Sequence, residues 1–263
     1  MSGYSLRGLH WFNALSAGAS VVEGLPPSLK VADAELGRFI AVVADPDNRF
    51  PRARNGEVGL LEGWGLAKAV DDAISADRDR DSAQKRPIIA IVDVPSQAYG
   101  RREEALGIHQ ALAGAADSYA RARLAGHPVI ALLVGKAMSG AFLAHGYQAN
   151  RLIALRDPGV MVHAMGKASA ARVTLRSVEE LEALAASVPP MAYDIDSYAS
   201  LGLLWETLSV QQIEQPTEED LTRVTECLKQ AISDVTSTDL KGRLGASNRA
   251  ASSKVRELLR AQW

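Results

Sequence analysis

Cysteine is nearly absent from this 263-residue sequence, where Cys227 stands alone. An internal disulfide is thereby excluded, and no Cys/His grouping has zinc-ligand spacing. Aromatic residues make up only 5% of the chain. No apolar run approaches the roughly 18 residues of a membrane-spanning helix. Residues 1–10 lack the apolar stretch behind positive charge that marks a secretory leader. Charge of neither sign dominates: the formal net charge is −2, so no overall field draws the chain to nucleic acid or to an anionic membrane. Repeats and low-complexity segments are also missing. The expectation is an unprocessed cytoplasmic protein with no metal, no nucleic-acid partner and no membrane partner.

What is present is 47% hydrophobic residues, enough to bury one sizeable core. Apolar runs of strand length alternate with longer segments of helical period, the pattern of an α/β fold. Residues 37–43 read as a strand ending at the turn Asp45-Pro46-Asp47-Asn48, and residues 60–77 as a helix running into the charged linker Asp77-Arg78-Asp79-Arg80-Asp81. Residues 87–94 are apolar almost throughout, as a central strand covered on both faces requires. The stripe Ile108, Leu112, Ala115, Tyr119, Ala122 makes residues 103–124 one helix, stopped by Gly126 and Pro128. Residues 128–134 form the next strand, which Gly135 ends before a small-residue helix over 141–149. Short strands are expected at 151–155 and 160–163. The capping box Ser177-Val178-Glu179-Glu180 opens a helix to Ser187. Further helices cover 192–201 and 217–235 with a strand over 203–208 between them, and residues 241–263 form a charged helical tail. Pro26-Pro27 and Gln215-Pro216 are the best linkers. They divide the chain into an N-terminal arm (1–30), a core (31–210) and a C-terminal helical extension (211–263).

Two segments carry the chemistry. In Asp93-Val94-Pro95-Ser96-Gln97-Ala98-Tyr99-Gly100 a strand leads through Pro95 into a polar loop and then a helix. Several backbone N–H groups can then point into a cleft at the strand's carboxyl end, which is anion-binding geometry; an ordinary strand-to-helix connection reads the same way. Gly135-Lys136-Ala137-Met138-Ser139-Gly140 repeats the arrangement one crossover later. Its small residues allow a ligand close to the first free amides of a helix, or merely allow close helix–sheet packing. A phosphate-binding Walker loop is excluded, because Ile130 and Ala137 stand where glycine and Ser/Thr are required. A hydrolase nucleophile elbow, G-x-S-x-G, is broken by Ala137 and Ala141 around Ser139, without excluding a serine nucleophile.

With these segments in view, residues 87–175 resemble the carboxyltransferase branch of the crotonase superfamily. The resemblance is carried by Asp93-Val94-Pro95, Gly100, Glu104-Ala105-Leu106-Gly107-Ile108, the run from Gly135 through Ser139-Gly140-Ala141-Phe142, and Val162-His163-Ala164-Met165-Gly166. Trp11-Phe12-Asn13-Ala14-Leu15, Ala171-Arg172-Val173-Thr174-Leu175 and the overall length narrow it to the gamma subunits of biotin-independent malonate decarboxylases. Where most carboxyltransferases have glycine after Asp-Val-Pro, this chain has Ser96, and where they have paired glycines it has Ser139-Gly140. Both departures keep a backbone amide but place side chains where biotin would enter, which suits an enzyme needing no biotin.

The resemblance implies a crotonase/ClpP-like ββα superhelix and a cleft shared with a homologous beta subunit. It implies a malonyl thioester carried on the CoA-like phosphopantetheine arm of an acyl carrier protein, with an acyl transferase subunit as a further partner and no cofactor bound by this chain. Cleaving CO2 leaves an enolate; the amides of Ser96 or Gln97 and of Ser139 or Gly140 are expected to hold the enolate oxygen and the departing carboxylate, with either loop in either role. Tyr99, Gly100, Arg101, Lys136, Ala137 and Met138 are the expected substrate contacts. Tyr99, Ser139, Lys136 and water are the candidate proton donors. Arg101 and Arg102 either pair with the malonyl carboxylate or begin a solvated helix.

Other readings are retained. Ser139 and His163 also resemble the nucleophile and base of Clp-type serine peptidases, with Ser139 one position out of register. A noncatalytic scaffold is the third. In the tail, Lys241, Arg243, Arg249, Lys254, Arg256 and Arg260 face only Glu257, a basic helix that either receives an acidic carrier protein or packs on a partner. His10, His109, His127 and His145 are read as structural, and Trp11, Phe12, Trp64, Trp205 and Trp263 as core or interface aromatics.

Overall fold

The computed structural model describes residues 3–263. The most apolar runs become the centre of an eight-stranded sheet, built from β1 (Ser20–Val21), β2 (Leu29–Ala34), β3 (Gly37–Val42), β4 (Ile88–Val94), β5 (Val129–Met138), β6 (Arg151–Leu155), β7 (Met161–His163) and β8 (Glu206–Leu208). Its order is β1-β2-β3-β4-β5-β6-β8, with β7 pairing β5. β1, β2 and β3 form an antiparallel edge, and all pairings from β3 onward are parallel. Every residue of β4 is buried. That burial follows from helices on both faces.

The helices are α1 (Arg7–Leu15), α2 (Leu60–Ala76), α3 (Arg101–Ala105), α4 (Ile108–Leu124), α5 (Ser139–Ala144), α6 (Lys167–Val173), α7 (Val178–Ala185), α8 (Ile195–Ser200), α9 (Glu218–Ser233) and α10 (Ala250–Gln262). α2 and α4 pack together, while α1 and α9 pack on each other and on β5. Residues 1–30, expected as an arm, supply the fully buried Trp11 to the core, and α9 of the expected extension supplies Val224, Leu228 and Ala231 to the same cluster. At the end of the chain, α10 has no buried residue.

Several expected elements change shape; the helix over 141–149, for one, runs from Ser139 to Ala144. The helix over 103–124 is broken at Gly107, whose φ of +83° is left-handed, so α3 and α4 are separate. The tail over 241–263 becomes two short 3-10 turns before α10, interrupted by Gly245 at φ +94°. Gly135 does not end β5. The strand pairs β6 through Ile130–Leu133, then bulges and continues to Met138 because Lys136, Ala137 and Met138 find a second partner in β7.

Candidate functional site

The two chemistry-bearing segments leave the carboxyl ends of β4 and β5, which are adjacent and parallel, with Val94 paired to Ala137. Between Val92 and Val94 the register shifts, so β5 bulges around Asp93. The Asp93 side chain is buried; its Oδ1 accepts the Lys136 N–H at 3.1 Å and its Oδ2 the Gly8 N–H at 3.2 Å. One carboxylate therefore ties α1 and β5 to the end of β4.

The first loop is pinned from outside by Val58. The Val58 N–H donates to the Ser96 carbonyl at 3.1 Å, and the Ala98 N–H donates to the Val58 carbonyl at 2.9 Å. Inside the loop the Ser96 hydroxyl and the Tyr99 N–H both donate to the Gln97 carbonyl at 2.9 Å. The amides of Ser96 and Gln97 have no hydrogen-bond partner among the described residues. Tyr99 is 54% exposed at the rim. Gly100 precedes α3, where a Cβ would lie 2.6 Å from Arg52 Nε and 2.5 Å from Glu103 Oε2. Arg101 is exposed at the first position of α3; Arg102 lies over the Phe50 ring at 5.3 Å.

In the second segment Lys136 is exposed, but Ala137 and Met138 are buried at 0% and 5% exposure. These two, expected as substrate contacts, face the packed interior, because β5 extends through them. Ser139 opens α5 with φ +59°, a left-handed conformation unusual for a residue with a Cβ. The Gly140 N–H, expected to be free, donates to Gln97 Oε1 at 2.9 Å. That bond joins the two loops. The role of the Gln97 side chain and of Asp93 was not read from the sequence, since their partners lie 43 or more residues away.

A family model for the malonate decarboxylase gamma subunit matches residues 53–263. The chain belongs to this family. It is similar to a chain of a Pseudomonas malonate decarboxylase hetero-tetramer solved in complex with coenzyme A, at 73% identity and a TM-score of 0.93 over 98% of this chain and 99% of that one. A Pseudomonas MdcD-MdcE hetero-dimer matches at 69% identity and TM-score 0.89, with the same coverage. The malonyl-S-ACP:biotin-protein carboxyltransferase MADD of Malonomonas rubra is 36% identical over 182 residues, 67% of this chain, and the chain spans 62% of that relative's length. Transcarboxylase 12S, at 18% identity and TM-score 0.62 over 88% of this chain and 42% of that one, shares the fold alone. The architecture is thus the crotonase-like fold of the carboxyltransferases.

Within this gamma-subunit fold Ser139 and His163 do not form a nucleophile–base pair. Among the described residues no hydrogen bond links them; His163 stacks on Tyr193 with ring centroids 3.9 Å apart and turns Nδ1 to the backbone of Met165, 3.0 Å from its carbonyl. Burial lowers the imidazole's pKa from its ordinary value, partly offset by that contact. Among the described residues no cluster of three or more metal-ligating side chains occurs and no helix is long and apolar enough to cross a membrane.

Proposed function

We propose that this chain acts as a subunit of malonate decarboxylase, converting malonyl-S-acyl-carrier protein to the acetyl thioester and CO2 through an enolate held by backbone amides. The observation that carries the reading is the pair of loops at the ends of β4 and β5, bonded to each other and leaving the Ser96 and Gln97 amides unpaired inside the first. An unpaired amide at a rigid turn is a donor in need of an oxygen. As the C–C bond to the carboxylate breaks, its electron pair moves to the thioester carbonyl, whose oxygen becomes an anion. Fixed donors around such an oxygen are worth about 3 to 4 kcal/mol each. The Ser96 and Gln97 amides serve from the first loop and Ser139 from the second. Tyr99 and Lys136 are exposed proton-bearing side chains at the rim; one of them, Ser139, or water returns the proton to carbon.

A homologous beta subunit closes the cleft in this reading, which the hetero-dimer and hetero-tetramer of the Pseudomonas relatives support. The coenzyme A of the hetero-tetramer supports a phosphopantetheine-carried substrate, and the relative named for malonyl-S-ACP supports an acyl carrier protein as its bearer. An acyl transferase subunit loads the carrier. Cys227 is a buried free thiol, in keeping with a reducing cytoplasm.

A second reading has one observation in its favour: the Malonomonas relative is named as a transferase to a biotin protein. Both are tested by assembling this chain with its homologous subunit on a malonyl thioester and measuring CO2 and acetyl thioester, with and without excess avidin. Release of CO2 unaffected by avidin is expected. Dependence on an added biotinyl acceptor would establish the second reading instead, and equal rates from the homologous subunit alone would leave this chain a scaffold.

A further inference from the structure

Gln97 was expected to serve through its backbone, yet its side chain holds the more telling position. A backbone N–H can only donate, so the atom facing Gly140 at 2.9 Å is the carboxamide oxygen, and the orientation of the amide group follows. The Nε2 must therefore point the other way. It carries two N–H donors and makes no hydrogen bond among the described residues, nor is it among the buried polar atoms sealed without a partner. An unpaired, accessible donor of fixed direction thus lies where the two loops meet.

The backbone under it is equally fixed. Residue 97 bridges Val58 on one side, and its own carbonyl accepts from Ser96 Oγ and from Tyr99 N–H. With both ends held, the side chain gives up little freedom on meeting a ligand, the condition for a preorganised donor.

We infer that the Gln97 carboxamide, anchored through Oε1 by the Gly140 N–H, presents Nε2–H to the thioester carbonyl oxygen of the reacting malonyl group. The inference rests on the decarboxylation reading above. It reassigns Gly140: the amide positions Gln97 and does not touch the substrate. A neutral donor binds a charged oxygen more strongly than a carbonyl, so its contribution grows as the enolate forms and belongs in kcat more than in KM.

The test is made on the complex of this chain with its homologous subunit and a malonyl thioester. Gln97→Met keeps the length but loses both donors together with the oxygen that the Gly140 N–H needs; kcat is expected to fall about 100-fold to 1000-fold with KM nearly unchanged. Gln97→Glu keeps an oxygen for the Gly140 N–H, so the loops and the melting temperature are preserved, but turns an anionic oxygen toward the substrate. Its activity is expected to be low at neutral pH and to rise as the pH is lowered relative to wild type, because the protonated carboxyl is again a donor. A merely structural role would not produce that pH profile. Wild-type kcat in Gln97→Met, or a Gln97→Glu rate that follows the wild-type pH profile, would overturn the inference alone. A wild-type complex that releases no CO2 would instead overturn the functional reading beneath it.

Discussion

A side chain at position 135 has nowhere to go, because a Cβ built on Gly135 would lie 2.0 Å from Oδ1 of Asp93. That oxygen is the one accepting the Lys136 N–H. The glycine is therefore a condition for the carboxylate that fastens the second loop beside the first and α1 beneath both.

Gly135→Ala is expected to push the Asp93 carboxylate aside and strand the Lys136 and Gly8 amides. Leaving buried donors unpaired costs about 1 to 3 kcal/mol, read as a lower urea midpoint. Because the same bonds set the loop, CO2 release from the complex should fall with it. Asp93→Asn keeps an acceptor oxygen for one of the two amides and should lose less. A Gly135→Ala chain with the wild-type midpoint would show that the clamp contributes nothing.

Ser139 separates backbone from side-chain chemistry. Its φ of +59° costs about 1 to 2 kcal/mol for a residue with a Cβ, and glycine avoids that cost while giving back about 0.5 to 1 kcal/mol in unfolded-chain entropy. Ser139→Gly should be neutral to slightly stabilising in thermal unfolding. Both Ser139→Gly and Ser139→Ala keep the amide and should keep kcat within a few-fold in the assembled enzyme. A collapse by orders of magnitude in both would point to the hydroxyl as nucleophile or acid.

The first helix belongs to the core. Trp11 is fully buried and its indole N–H donates to the Ile213 carbonyl at 2.8 Å, joining α1 to the segment before α9. Trp11→Ala should cost about 3 to 5 kcal/mol, measurable in urea unfolding of the isolated chain. A loss below 1 kcal/mol would mean that α1 is an arm after all.

Much of this was legible in sequence because it is local. Residues 88–92 are apolar on both alternating faces, so a central strand was readable, and Thr217 and Ser177 mark helix starts that the structure keeps, each with its side chain accepting from the third residue on. β2 escaped notice because Lys30 and Asp33 break its apolar run. The run past Gly135 into β7 was invisible since pairing partners 25 residues apart leave no local mark. At the site the loops could be read but not their fastening. Asp93 reaches 85 residues back to Gly8 and Gln97 reaches 43 forward to Gly140, and such contacts are decided by the fold.

A buried pair at the end of α5 bears on stability in acid. His145 is fully buried, its Nε2 2.9 Å from the Ile91 carbonyl and its Nδ1 3.0 Å from the Tyr119 hydroxyl. The carbonyl can only accept, so Nε2 carries the proton and Nδ1 accepts from Tyr119. Burial pushes the imidazole pKa down to about 4, with the Ile91 contact acting weakly in the other direction. In the unfolded chain the value is about 6.5. Above that pH both states hold a neutral ring, and the folded state is favoured in full. Between about 6.5 and 4 only the unfolded chain takes up the proton, so stability falls as the pH falls, by on the order of 3 kcal/mol at the end of the window. Urea midpoints should therefore drop between pH 7 and pH 4.5 in the wild type and drop less in His145→Gln, which cannot titrate. Tyr119→Phe, at pH 7, leaves the buried Nδ1 without a donor and should cost about 1 to 3 kcal/mol. Equal pH slopes in the wild type and His145→Gln would show that other groups govern unfolding in acid.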